Sequence, residues 1–219
     1  MQVQNCQFPD DLYFDVTNDV WLKVLGKEDA RIGMTTVLSF VAGRITAVHF
    51  RPNLSSLERG QSIATIESGK YFGALRSPLK CRIVEFNEKI GKRPRLLNDD
   101  PYGEGFVATV RLEESPENLA KGNLAAKSID ARIHELKIHC FKKLPDQDLV
   151  SIGVECSSTL SNLNDLLQKQ EGGTVVHVVS DDAFAEIEIA RWSDQTDNLL
   201  LETRDEGNLH HFIVEKKSS

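Results

Sequence analysis

The stretch ATIESGKYFGALRSP, residues 64–78, decides how the N-terminal half of this chain folds. Two apolar, strand-like runs, QSIATIE and YFGALRSP, flank the short segment Ser68-Gly69-Lys70. The pattern predicts a β-hairpin with a lysine at its tip, and we expect Gly69 to supply the backbone freedom of the tight turn. The sequence leaves open whether Tyr71 and Phe72 line the surface beside this lysine or pack back onto the sheet.

A lysine at the tip of a hairpin admits two interpretations. A single lysine in a turn is most often a solvated side chain. The apex of a protruding hairpin is also suited to an amide-linked prosthetic arm, because the lysine stem is flexible while the sheet fixes its root. The surrounding sequence has to decide between these alternatives for Lys70.

Composition and charge bound the class of protein. The chain has 219 residues, of which 40% are hydrophobic and 27% charged, as in ordinary globular proteins with one large or two small domains. A formal net charge of -7 argues against a general nucleic-acid-binding protein. No apolar run has membrane-spanning length, and the N-terminal residues lack an export signal. We therefore expect a cytoplasmic protein that binds neither nucleic acid nor membrane.

The cysteines are scattered along the chain. None forms a CxxC pair, so their spacing fits neither a zinc ribbon nor a dense disulfide framework, and it favours a reducing cytoplasm. No metal site is predicted. The four positions are Cys6, Cys81, Cys140 and Cys156.

Residues 20–112 show short apolar runs separated by turn residues, which is typical of an all-β unit built as a small sandwich or flattened barrel. Residues 35–42 predict a short helix. The predicted strands are 20–25, 30–34, 43–50, 61–67, 80–87 and 105–112.

The spacing of apolar residues changes after residue 112. Helical spacing through Ile129, Ile133 and Leu136 predicts a helical connector that ends near Pro145. From residue 149 the order strand, helix, strand, helix, strand, strand predicts an α+β module, βαβαββ in two layers.

Several motifs in the first region resemble the H-protein of the glycine cleavage system and its lipoate-binding relatives. Glu67-Ser68-Gly69-Lys70 matches the family's Glu-Ser-x-Lys around the lipoylated lysine, and Ser77-Pro78 matches the Ser-Pro that follows. Residues 98–105, NDDPYGEG, and residues 32–35, IGMT, match two further family motifs in the same order. The resemblance implies a lipoyl fold (a barrel-sandwich hybrid), covalent lipoate on Lys70, and Glu67 as a recognition residue for the modifying ligase.

The chain also departs from that family. Residues 18–24, NDVWLKV, stand where the glycine cleavage protein has a histidine-containing motif, and residues 69–73, GKYFG, replace its lysine-alanine run. These departures favour the H-like lipoate-binding proteins of sulfur oxidation, which work with complexes resembling heterodisulfide reductase. A biotin carrier is disfavoured, because such carriers flank the lysine with methionines.

The C-terminal region resembles the TusA/SirA-like sulfur carriers. LVSIGVECSST, residues 149–159, aligns Gly153 and Cys156 with that family's glycine and cysteine, and Asp181-Asp182 matches the acidic pair that opens its second helix. The resemblance implies a persulfide-carrying Cys156. A helix N-terminus favours a thiolate, whereas both family prolines are absent and Glu155 adds opposing charge. A working sulfur carrier and a degenerate docking domain both remain open.

Four other groups carry weaker signals. For His139-Cys140 the sequence shows no orienting third group. His210-His211 are expected to be a solvated pair, Cys81 a core residue, and Asp99-Asp100 turn formers before Pro101.

These observations predict a two-domain carrier protein that is not itself an enzyme. The expected domains are an H-protein-like lipoyl domain at 1–116, a helical connector at 117–146 and a TusA/SirA-like domain at 147–219. Expected partners are a lipoate ligase or lipoyl transferase, and sulfurtransferases or a heterodisulfide-reductase-like complex. Two alternatives stay open: a glycine cleavage H-protein that carries an aminomethyl group between glycine cleavage enzymes, and an unmodified docking scaffold.

Overall fold

The computed structural model describes residues 1–51 and 56–218. The chain divides into two compact units, Met1–Cys140 and Phe141–Ser219, and each is described separately. None of the helices in the described ranges is both long and apolar enough to cross a membrane.

The first unit is mainly β-structure. Its helices are α1 (Thr36–Ala42), α2 (Glu88–Lys92), α3 (Leu96–Asp99) and α4 (Ala126–Leu136), with two 3-10 helices at Pro116–Asn118 and Gly122–Ala125. Its strands are β1 (Gln2–Val3), β2 (Cys6–Gln7), β3 (Tyr13–Asp15), β4 (Val20–Val24), β5 (Asp29–Met34), β6 (Ile45–Phe50), β7 (Ser56–Leu57), β8 (Ser62–Ser68), β9 (Phe72–Arg76), β10 (Cys81–Phe86), β11 (Ala108–Leu112) and β12 (Ala120–Lys121).

Two sheets of the first unit enclose its main core. One sheet has the order β12-β3-β4-β5-β11-β10-β7, and the other has the order β6-β8-β9. Leu22 and Ile32 from the larger sheet join Ile63 and Ile66 from the smaller sheet in one buried apolar cluster. The strands predicted between residues 20 and 112 are confirmed, with ends that shift by a few residues. The first unit therefore has the expected β-rich fold of two facing sheets.

Helix α1 begins and ends at residues that its sequence provides. The Oγ1 atom of Thr35 accepts a hydrogen bond from the amide of Leu38, which caps the first turn. Gly43 ends the helix with a φ of 69°, a left-handed conformation that glycine adopts without strain. The helix predicted at 35–42 is thus confirmed, and its C-terminal end leads directly into β6.

A second apolar cluster joins the N-terminus to the segment after residue 112. Strand β12 pairs with β3, and α4 buries Ile129 and Ile133 against a cluster that includes Phe8 and Phe14. The segment expected as a connector at 117–146 therefore contributes its helix to the first unit, and the boundary between the units lies at residues 140 and 141.

A disulfide bond closes this second cluster. Cys6 and Cys140 are bonded across a sequence separation of 134 residues, with their Cα atoms 5.1 Å apart. The interpretation of the cysteines as isolated thiols is therefore wrong for this pair. Sequence spacing did not show it, because the N-terminal strands and the end of α4 meet only after both pack on the same apolar cluster.

The second unit contains the elements β13 (Gln147–Ser151), α5 (Cys156–Gln168), β14 (Val175–Ser180), α6 (Ala185–Thr196), β15 (Leu199–Glu206) and β16 (Leu209–Glu215). The sheet has the order β13-β14-β16-β15, in which β13 and β14 are parallel and the other pairs are antiparallel. Leu163 of α5 and Ile189 of α6 pack with Val178 and Phe212 of the sheet.

Candidate functional site

Lys70 lies at the tip of the hairpin between β8 and β9. The backbone N–H of Ser68 donates to the carbonyl oxygen of Tyr71 at 2.8 Å, so only Gly69 and Lys70 lie beyond the last hydrogen-bonded pair. The lysine side chain is exposed. The predicted hairpin and the position of its lysine are confirmed.

Ser68 holds the turn together through its hydroxyl group. Its Oγ atom accepts hydrogen bonds from the amides of Lys70 at 3.2 Å and Tyr71 at 3.0 Å. The same hydroxyl donates to the carbonyl oxygen of Ala42, the last residue of α1, at 2.6 Å. One side chain thus shapes the lysine turn and ties it to α1. This is a local role that Ser fills readily, because its short hydroxyl bonds nearby backbone groups.

The expectation that Gly69 makes the turn possible is wrong. The backbone φ angle of Gly69 is not positive, so this residue does not use the conformation that favours glycine. A Cβ atom built on Gly69 would meet no other atom within 4 Å. The turn therefore needs neither the conformational freedom nor the small size of glycine at this position, because the hydroxyl of Ser68 supplies the contacts that define it.

Glu67 lies beside the lysine turn, at the end of β8. Its side chain is partly exposed, and its Oε1 atom lies 3.2 Å from Nε2 of His49 on the neighbouring strand β6. Across the hairpin Glu67 pairs with Phe72. Because directly paired residues point to the same face of a sheet, the carboxylate and the aromatic ring stand next to each other.

Tyr71 and Phe72 have different environments, which answers the question that the sequence left open. The Tyr71 ring folds back over Gly73, where a Cβ atom would lie 2.3 Å from the tyrosine hydroxyl oxygen. The ring also packs against the main core, and burial raises the pKa of the Tyr71 hydroxyl, with a smaller contribution from the charge of Asp19. Phe72 points outward and is 72% exposed. Phe72 is therefore the more exposed of the two rings beside Lys70, whereas Tyr71 is partly buried.

The motif at residues 98–105 supports the end of α1 from behind. Asn98 accepts a hydrogen bond from the amide of Ile45 at 2.9 Å and donates to Ser39 Oγ at 2.9 Å and to the carbonyl oxygen of Gly43 at 3.0 Å. The Tyr102 hydroxyl accepts from the amide of Thr36 at 3.0 Å. This motif therefore holds both ends of α1, the helix to which the lysine turn is tied.

Two residues of this motif, Gly105 and Tyr102, are tightly packed. Gly105 leaves no room for a side chain, because a Cβ atom would lie 2.3 Å from the carbonyl oxygen of Leu96. Burial raises the pKa of Tyr102 to about 12, so this hydroxyl stays neutral below strongly alkaline pH. Asp100 accepts from the amide of Glu104 at 2.7 Å, which confirms its expected role as a turn former. Asp99, the other expected turn former, is instead the last residue of α3 and is paired with Arg95.

The environment of Lys70 fits an amide-linked group such as lipoate. Its side chain is exposed at the end of a turn whose own amides are bonded to Ser68. A group attached to Nζ therefore extends outward without displacing core residues, while the sheet keeps its root in place.

Cys156 lies at the expected junction, as the first residue of α5 after β13. It is only 6% exposed. Its backbone amide donates to Oδ2 of Asp182 at 3.0 Å, so a carboxylate occupies the helix N-terminus that would otherwise favour a thiolate. Burial raises the pKa of the Cys156 thiol, and the charges of Asp182 and Glu188 raise it further. These contacts therefore favour the protonated thiol over the thiolate.

The opposing charge comes from a different residue than the sequence indicated. Glu155 was expected to oppose the thiolate. The carboxylates that do so are instead Asp182, just before α6, and Glu188, within α6. The acidic pair instead fixes the loop before Cys156, because Asp181 Oδ1 accepts from the amide of Gly153 at 2.8 Å. No hydroxyl of residues 157–159 caps α5.

The remaining cysteines do not form reactive sites. Cys140 is in the disulfide, so the His139-Cys140 pair contains no free thiol. Cys81 is fully buried beside Ser77, as expected for a core residue, and burial raises the pKa of its thiol.

The histidines of the second unit form an arrangement that sequence analysis missed. His211 is buried, and its Nδ1 atom lies 3.0 Å from Nε2 of His177. Nδ1 of His177 lies 2.9 Å from Oδ1 of Asp148. The expectation of a solvated pair is therefore wrong for His211, while His210 instead pairs with Asp205 at 2.6 Å. Residues from three strands meet here, which no local pattern indicates.

Within residues 1–51 and 56–218, no set of three or more His, Cys, Asp or Glu side chains is arranged to hold a metal ion.

Known proteins resemble the first unit. Residues 12–135 match the protein family described as Glycine cleavage H-protein. A probable glycine cleavage system H protein 2 from Sulfolobus acidocaldarius is 34% identical over 140 residues, which covers 62% of this chain and 94% of the relative. A glycine cleavage system H protein 5 from Aquifex aeolicus is 36% identical over 148 residues, which covers 64% of this chain and 98% of the relative.

One solved structure is also similar. The crystal structure of a glycine cleavage system H protein from Mycobacterium marinum has a TM-score of 0.48 and 24% identity, and it covers 55% of this chain and 98% of that chain. The family match covers more than half of the chain, from Leu12 to Glu135. Proteins of this family are carriers that hold lipoate covalently on a lysine, and the chain belongs to the glycine cleavage H-protein family.

Proposed function

We propose that this protein is a lipoyl carrier whose lipoate is attached to Lys70 through an amide bond. The observation that supports this most strongly is the exposed lysine at the tip of a hairpin whose turn is fixed by Ser68. Bound lipoate would supply a dithiol and disulfide couple that moves two electrons or a bound group between enzymes. The chain's own residues present the lysine and hold the root of the arm.

Glu67 and Phe72 are the residues that we assign to recognition by the modifying ligase or transferase. They flank the lysine turn as a cross-strand pair, and both are accessible. A carboxylate and an exposed aromatic ring side by side offer an ionic contact and an apolar contact to one enzyme surface. Ser68 acts indirectly, because its hydroxyl is already bonded to three backbone groups.

Intact mass after co-expression with a lipoate ligase tests the attachment site. We expect the mass of one lipoyl group on the unaltered protein, and none on Lys70→Ala. Lys92→Ala removes another exposed lysine and should keep the modification. An unmodified protein, or a lipoyl group that persists in Lys70→Ala, would contradict the proposal.

We further propose that the cargo is sulfur or reducing equivalents of sulfur metabolism, and that the second unit is a TusA/SirA-like domain in a cytoplasmic protein. The position of Cys156 between a strand and a helix supports a sulfur-transfer role. Its burial and the Asp182 contact mean that the loop before α5 has to open before the thiol reacts. A covalent connection between the two units would raise the effective concentration of each toward the other.

Exposure to a persulfide donor tests Cys156 directly. We expect trapped sulfane sulfur on Cys156 that disappears in Cys156→Ala and remains in Cys81→Ala, which removes the other free cysteine. Equal labelling of all three proteins would remove Cys156 from the mechanism.

The second candidate is a carrier for glycine cleavage, and the family match favours it. Its partners would be the glycine cleavage enzymes. Turnover of glycine by a glycine decarboxylase supplied with the lipoylated protein would support this candidate against the sulfur-related role.

A further inference from the structure

The aliphatic stem of Lys70 does not extend freely from its turn. It lies across Gly43, the residue that ends α1. A Cβ atom built on Gly43 would be 2.7 Å from Cε of Lys70 and 3.6 Å from both its Cδ and its Nζ. Any side chain at position 43 would therefore displace the stem from its present course.

The backbone of Gly43 is fixed from both sides. Its N–H donates to the carbonyl oxygen of Ser39 at 2.9 Å, and its carbonyl oxygen accepts from Asn98 Nδ2 at 3.0 Å. Asn98 also bonds Ser39 and the amide of Ile45. With a φ of 69°, Gly43 occupies a conformation that other residues rarely adopt. The bare surface under the lysine is thus a preformed part of the fold.

The root of the lysine is tied to the same corner. Ser68 bonds the amide of Lys70 and also the carbonyl oxygen of Ala42, the neighbour of Gly43 in the chain. The backbone at the start of the stem and the surface beneath its middle therefore belong to one hydrogen-bonded corner, formed by the end of α1, Asn98 and Ser68.

We propose that Gly43 is a positioning residue for the prosthetic arm, and that its bare Cα is the seat on which the Lys70 stem rests. This inference rests on Lys70 being the attachment site. The arm then swings from Nζ and not from Cα. The modifying enzyme therefore meets the amine in one defined direction, and the later partners meet the amide-linked arm in that same direction. A group that is held before binding has less freedom to lose when a partner immobilises it.

Asn98 has a matching role in this proposal. It acts by holding the carbonyl oxygen of Gly43, to which its Nδ2 atom donates a hydrogen bond. The position of Gly43 under the lysine stem therefore depends on Asn98.

Side-chain NMR of the full chain tests the seat. In the unaltered protein we expect a nuclear Overhauser contact between the Gly43 Hα protons and the Lys70 Hε protons, and a restrained Lys70 Cε. Gly43→Ala should abolish the contact at Cε and lower the order parameter of that carbon. For comparison, the order parameter of a rigid backbone site is about 0.85, and that of a flexible site is below about 0.6.

Gly60→Ala is the matched control. Gly60 has a φ of 80°, so alanine imposes the same kind of backbone strain, yet a Cβ there meets nothing within 4 Å. We expect Lys70 to be unaffected in this variant. Asn98→Ala keeps glycine at position 43 and should weaken the contact, which provides a second test if Gly43→Ala fails to fold.

The intact mass of each sample separates the two proposals. An unaltered protein that carries no lipoyl group on Lys70 would overturn the proposed function, whatever the NMR contact shows. A correctly lipoylated protein that lacks the Lys70–Gly43 contact, or that keeps the same Cε mobility in Gly43→Ala and Gly60→Ala, would overturn the seat alone. Loss of the contact in Gly43→Ala with its retention in Gly60→Ala is the expected result.

Discussion

The turn that carries Lys70 and the junction that carries Cys156 present their reactive groups in opposite ways. Lys70 is exposed, and the hydrogen bonds around it go to its backbone, which leaves the amine available. Cys156 is buried, and the carboxylate that bonds its backbone also raises the pKa of its thiol. A residue at the expected place in a fold is therefore ready to react only if the neighbouring charges and burial favour its reactive form.

The same difference appears in how the two loops are held. Ser68 fixes the lysine turn with a neutral hydroxyl group that bonds the backbone of residues 70 and 71. Asp181 and Asp182 fix the loop before Cys156 with two negative charges. Neutral bonds shape a site without opposing its chemistry, whereas carboxylates beside a thiol disfavour the thiolate.

The largest expected effect concerns the disulfide of the first unit. Replacing both Cys6 and Cys140 by serine should lower the free energy of unfolding of that unit by about 2–5 kcal/mol, because a crosslink over a long loop restricts the unfolded chain. Chemical denaturation monitored separately for each unit measures this.

Two further outcomes sharpen that test. The reduced unaltered protein should behave like the double variant, and the unfolding of the second unit should not change. Equal destabilisation of both units would show that the disulfide does more than hold the first unit together. Unchanged lipoylation would show that the lysine turn is independent of the disulfide.

Ser68→Ala should have the next largest effect. It removes the hydroxyl bonded to Ala42, Lys70 and Tyr71, and should cost about 1–2 kcal/mol of stability, since each net hydrogen bond is worth about 1 kcal/mol and water replaces some of them. Hydrogen exchange at the amides of residues 70 and 71 should accelerate. Ser62→Ala, at the other end of β8, is the control, because its hydroxyl donates to the carbonyl oxygen of Ala64 in its own strand. Unchanged exchange in Ser68→Ala would refute the role of the hydroxyl.

Asp182→Asn should make Cys156 more reactive. Removing this charge lowers the raised pKa of the thiol toward its ordinary value, and each unit of that shift increases the thiolate fraction about tenfold at neutral pH. The rate of alkylation by iodoacetamide as a function of pH measures the change. Asp181→Asn is the control. It changes the adjacent carboxylate, which accepts a hydrogen bond from Gly153, and should not shift the pH dependence of alkylation at Cys156.

The raised thiol pKa also predicts how stability depends on pH. A thiol whose pKa is raised in the folded state contributes stability below the ordinary thiol pKa, and this contribution is lost as the pH rises through the raised value. Cys156→Ser should remove that alkaline loss from the unfolding curve of the second unit. An identical curve in the unaltered protein and the variant would contradict the assignment.

Gly69→Ala should have the smallest effect. Because Gly69 has no positive φ and a Cβ there meets no atom, alanine should be neutral or stabilise the protein by about 0.4–1 kcal/mol through the unfolded state. Thermal unfolding and intact mass measure stability and lipoylation together. A marked loss of stability would mean that the turn does use the freedom of glycine.

The sequence alone determined the lysine hairpin, the strands between residues 20 and 112, and the short helix at 35–42. These features depend on local patterns, namely short apolar runs separated by turn residues and a short motif around Lys70. Their physical causes lie within a few residues of each other, so a linear pattern records them.

The tertiary structure decided the features whose partners lie far apart in the chain. The disulfide joins residues 6 and 140, Asn98 supports Gly43 under the Lys70 stem, and His177 meets His211. The state of Cys156 is of the same kind, since Asp182 reaches it only after the second unit folds. Burial and electrostatic contacts depend on which surfaces meet in space, and no local pattern in the sequence specifies those meetings.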